Sequence, residues 1–97
     1  MINVNITEHG ILMEGHAGHH ENGQDLVCAA VSALTCSLIN SLEHLTDIRI
    51  RAETAEGYTE VYWEKLTEPG KLLVDSWFLG ITAINQEYNC ITFKQSP

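Results

Sequence analysis

Cys28 follows His16, His19 and His20 by at most twelve residues, and the segment between them is rich in glycine. A thiol and an imidazole at that separation can make a nucleophile and its base, provided the fold brings them together. Asp25 precedes an apolar periodic stretch and is read as the N-cap of a helix. This puts Cys28 in the first helical turn, where free backbone N–H groups and the positive dipole end favour a thiolate. His16 directly follows a strand-like run, Ile11 to Glu14, so a rigid element can aim it, whereas His19 and His20 fall further out in the loop. Two other readings stay open at this point. Cys28 can be a small buried side chain of a core helix. Alternatively, His16, His19, His20 and Cys28 are chemically suitable zinc ligands, although their spacing matches no common closed zinc site, so neither a metal nor another cofactor is expected. Cys36 and Cys90 fall mid-helix and at a strand start, which reads as packing.

The elements that would position these groups follow from periodicity. Ile2, Val4 and Ile6 alternate with polar residues as a half-buried strand, and a turn at Glu8 to Gly10 leads into Ile11 to Glu14. Gly15 to Gln24 carries three glycines and three histidines without a large apolar side chain, and reads as a flexible loop containing Gly15, Ala17, Gly18, His19, His20 and Gly23. Val27, Val31, Leu34, Leu38, Leu42 and Leu45 make one face of a helix ending near Leu45. Ile48 to Glu53 and Tyr58 to Lys65 read as a hairpin joined by Thr54 to Gly57. A second helix starts at Pro69 and runs to Asn89 through Leu73, Trp77, Ile81, Ile84 and Tyr88, and Cys90 to Lys94 is a last strand. The order ββαββαβ predicts an α+β fold, a two-layer domain with two helices packed on one face of a mainly antiparallel sheet.

The chain's 97 residues are expected to form one domain, residues 1–97. A 44% hydrophobic and 19% charged composition is that of a folded chain, and no apolar run is read as long enough to span a bilayer, so no membrane partner is expected. Thirteen acidic against five basic residues give a net charge of −8, which opposes direct nucleic-acid binding and favours a basic partner. Three cysteines without CxxC spacing, behind an N-terminus lacking a basic flank and an apolar signal core, point to a reducing cytoplasm.

Gly15-His16-Ala17-Gly18 and the run Gly23-Gln24-Asp25-Leu26-Val27-Cys28-Ala29-Ala30-Val31-Ser32-Ala33-Leu34 resemble the signature of the ribosomal-processing cysteine proteases, the Prp (YsxB-like) family. The plan of elements is similar over nearly the whole chain. The resemblance implies an endopeptidase that removes the apolar, Phe-containing N-terminal extension of a large-subunit ribosomal protein. It implies Cys28 as nucleophile, His16 as base and later acid, supporting roles for Asp25 and Ser32, and a flexible loop over the site. It also implies a homodimer. The second helix fits that expectation, because Leu72, Leu73, Val74, Trp77, Phe78, Leu79, Ile81 and Ile84 spread widely around it. The competing class is a non-catalytic acidic dimer that binds a basic ribosomal protein without cutting it.

Overall fold

The computed structural model describes residues 1–16 and 24–95, with the side chains of Gln24 and Asp25 outside that description. Its elements are β1 (Ile2–Thr7), β2 (Gly10–Gly15), α1 (Gln24–Leu45), β3 (Ile50–Ala55), β4 (Tyr58–Trp63), α2 (Glu68–Tyr88) and β5 (Ile91–Gln95). The five strands form one sheet in the order β3-β4-β2-β1-β5. Neighbours pair antiparallel except β1 and β5, which run parallel, as a strand returning from a helical crossover can. The expected ββαββαβ two-layer α+β architecture is the observed one.

Strand alternation decides which face takes the helices. In register, Ile2, Val4 and Ile6 of β1 stand beside Gly15, Met13 and Ile11 of β2, and Ile11 stands beside Val61 of β4. These side chains meet Val27, Val31, Leu38 and Leu42 from α1 and Val74, Trp77 and Ile81 from α2 in one hydrophobic cluster. The opposite sheet face bears Asn3, Glu14, Glu60 and Tyr62, a polar surface apart from Leu12. Between the helices and sheet lies a buried polar bridge. Thr35 Oγ1 accepts from Trp77 Nε1 at 3.0 Å and donates to the Val31 carbonyl at 2.7 Å, so the indole N–H has a partner inside the core.

Several expected boundaries shift, each with a local cause. Gly15 ends β2 and is not part of the loop, since its N–H donates to the Gly57 carbonyl at 2.9 Å. The helix expected after Asp25 already begins at Gln24, so Asp25 is its second residue and not its cap. At the other end, Thr46 Oγ1 donates to the Leu42 carbonyl at 2.6 Å and accepts the Ile48 N–H at 3.1 Å, a turn that delays β3 to Ile50 and leaves Ile48 as a buried plug. β4 stops at Trp63, whose backbone N–H donates to the His9 carbonyl and whose indole donates to that of Glu8, each at 2.8 Å. The α2 helix closes on Asn89 at φ 53°, ψ 47°, a left-handed C-cap whose N–H reaches the Asn85 carbonyl at 2.7 Å.

Three packing expectations also need correction. Cys36 is exposed rather than packed, while Cys90 is buried as expected. Leu45 is 73% exposed and lies outside the buried stripe of α1, which Thr35 joins at 2% exposure. The reading of apolar run length understated α1. Leu26–Leu45, with mean hydropathy 1.6, is long and apolar enough by composition to cross a membrane, and here its Val27, Val31, Leu38 and Leu42 turn toward the sheet.

Candidate active site

The sheet and α1 converge at one end of the molecule. β2 leaves the sheet there through Gly15, at φ 105°, and presents His16 as the next residue; the Met1 nitrogen donates to the His16 carbonyl. α1 begins at this end and carries Cys28 as its fifth residue. Helical Cβ vectors tilt toward the N-terminus, so the Cys28 side chain lies over the first turn, whose leading N–H groups have no carbonyl within the helix. Cys28 is half-buried and His16 exposed.

Both side chains border a cavity of about 90 Å³. Its floor is apolar, made by the buried Ile2, Met13 and Val31, and Glu14, Ser32, Tyr58 and Thr59 also line it. A thiol and an imidazole on the rim of an apolar hollow can attack and protonate a peptide held there. Tyr58 donates its phenol to Glu60 Oε2 at 2.8 Å, and that bond, with the nearby carboxylates of Glu60, Glu53 and Glu14, holds the phenol above its ordinary ionisation range.

The residues read from the sequence are therefore brought together in part. Cys28, His16 and Ser32 share the cavity, Ser32 lying one turn beyond Cys28 on α1 and exposed. Gly15 reaches the cavity as the end of a strand. Ala17, Gly18, His19, His20 and Gly23 lie outside the described residues, and with them two of the four ligands of the zinc reading. The hairpin of β3 and β4 was overlooked as a wall of the site, although Ala55, Gly57, Tyr58 and Thr59 all line it. Periodicity reads Thr54 to Gly57 as a turn and Tyr58 onward as a strand, and only the register of β2 against β4, which sets Glu14 beside Tyr58, reveals their neighbour.

The model of the family described as cysteine protease Prp matches residues 1–91. The chain belongs to the cysteine protease Prp family. A ribosomal processing cysteine protease Prp of Staphylococcus aureus is 30% identical over 98 residues, covering 92% of each chain. The Bacillus subtilis protein of the same name is 29% identical over 83 residues, 78% of this chain and 74% of that one. A crystal structure of the S. aureus Prp in complex with a substrate peptide superposes with a TM-score of 0.88 at 26% identity, over 99% of this chain and all of the other. As a Prp-family member the chain is a cysteine protease, and the sheet order and helix placement described above are those of the family fold.

Proposed function

We propose that this cysteine protease removes the N-terminal extension of a large-subunit ribosomal protein, with Cys28 as nucleophile and His16 as base and acid. The observation that carries the assignment is that β2 and α1 deliver His16 and Cys28 to the rim of one apolar-floored cavity. The relatives' shared name, ribosomal processing cysteine protease, supports the substrate. A net charge of −8 favours encounter with a basic ribosomal protein, and the apolar floor suits an apolar leader.

In the proposed reaction the Cys28 thiolate adds to the scissile carbonyl, and leading N–H groups of α1 donate hydrogen bonds to the developing oxyanion. His16 gives its proton to the leaving amine, and the amide C–N bond breaks to leave a thioester on Sγ. His16 then takes a proton from water, which attacks the thioester and releases the acid and Cys28. Ser32 has a supporting role on the rim, and Asp25 one in the first helical turn. No third side chain orienting His16 by a hydrogen bond is assigned.

The reading includes a reducing cytoplasmic setting, supported by three cysteines without CxxC spacing. It also includes a homodimer. Of the eight apolar residues spread around α2, Val74, Trp77 and Ile81 are buried and Leu73, Phe78 and Ile84 pack at the core margin. Leu72 and Leu79 remain, two turns apart on one side and each 71% exposed.

Digestion of a leader-bearing substrate, followed by product mass, tests the activity. Cys28→Ala should leave the substrate intact and His16→Ala should lower turnover by about 10²–10⁴-fold. Product formed by Cys28→Ala would sink the assignment, and an intact substrate held in a stable complex with the wild-type protein would favour the acidic binding module.

A further inference from the structure

The turn joining β3 to β4 has two residues between the paired Ala55 and Tyr58, and the second of them, Gly57, is at φ 69°. Its carbonyl accepts the Gly15 N–H at 2.9 Å, which ties the turn to the residue immediately before His16. The imidazole itself lies against the Gly57 backbone. A Cβ placed on Gly57 would stand 2.7 Å from His16 Nε2, 3.0 Å from Cε1 and 3.4 Å from Cδ2. Real carbon contacts do not approach 2.7 Å, so any side chain at position 57 must displace the ring. His16 is exposed and is the first residue beyond the strand.

We propose that Gly57 is the positioning residue of the His16 base, a flat backbone seat that a side chain would remove; this rests on the reading of His16 as the base of Cys28. The hairpin thereby becomes part of the machinery for proton transfer. Displacing a catalytic group by a fraction of an ångström to 1 Å costs up to about 10²-fold in rate.

Two variants separate the seat from the turn. Gly57→Ala introduces both a Cβ and an unfavourable positive φ, whereas Gly57→Asn introduces the Cβ at a residue that tolerates that φ. The measurements are kcat and KM on the leader peptide, circular dichroism, and the pH dependence of Cys28 alkylation by iodoacetamide, each beside wild type and His16→Ala. Both glycine variants should lose about 10–100-fold in kcat with KM unchanged, and their alkylation profiles should move toward that of His16→Ala. A folded Gly57→Asn with wild-type kcat and alkylation would overturn the proposal, because the turn's backbone and not its missing side chain would then be what matters. If wild type cuts no leader peptide, the assigned substrate fails, and the alkylation profiles still decide: movement in Gly57→Asn supports the seat and its absence overturns it. A His16→Ala profile equal to wild type removes the base from the thiol and overturns the seat with it.

Discussion

At the scale of single residues, what a polar group faces decides where it ionises. Tyr58 is the clearest case, because its phenol gives its proton to the Glu60 carboxylate while Glu53 and Glu14 stand near. Ionisation would create a second anion against Glu60, so the folded protein holds this proton above the usual value of about 10. The linkage sign follows: Tyr58 contributes its share of stability fully below the unfolded value, and loses it as pH rises through the folded one. Glu60→Gln should lower the alkaline midpoint of phenolate absorbance, measured in a background with Tyr62 and Tyr88 changed to Phe; an unmoved midpoint would clear Glu60 of the effect. That Cys28 and His16 meet at one cavity was legible because both lie beside recognisable elements. Gly57 was not legible as more than a turn residue, since its partner His16 is far away in sequence and the contact is defined by an atom that glycine lacks.

At the scale of elements, period-2 and period-3.6 patterns carried most of the fold. Ile2, Val4 and Ile6 gave β1, and Val27, Val31, Leu38 and Leu42 gave the buried face of α1. Boundaries failed where a side chain captured backbone groups, as Thr46 does beyond α1 and Trp63 does at the end of β4. Thr35 was passed over for a related reason. A hydroxyl among apolar residues contributes nothing to a hydrophobic pattern, yet here it joins α1 to α2 through Trp77 and lies beside Met13 of β2, with its Oγ1 3.7 Å from the thioether sulfur. Thr35→Val keeps the shape and leaves the buried indole N–H without its acceptor, so it should cost about 1–3 kcal/mol of stability, read from the urea midpoint at constant slope. No measurable loss would mean that the indole finds another acceptor.

At the scale of the whole molecule, the sheet has one face sealed by helices and one open to solvent, and the proposed pairing of two copies would use neither. It would use the outer side of α2, where Leu72 and Leu79 stand 71% exposed. Changing both to Glu should convert a sedimenting dimer to a monomer at the same concentration, and a wild-type protein that already sediments as a monomer would rule the pairing out. The parallel pairing of β1 with β5 sets a different condition, one of timing. Ile2 pairs with Ile91, so β1 must wait for β5, which is synthesised after it, before its second edge is covered. Until then β1 has an open edge ready for another strand, and a growing chain can already hold His16 and Cys28 while its sheet is still unfinished.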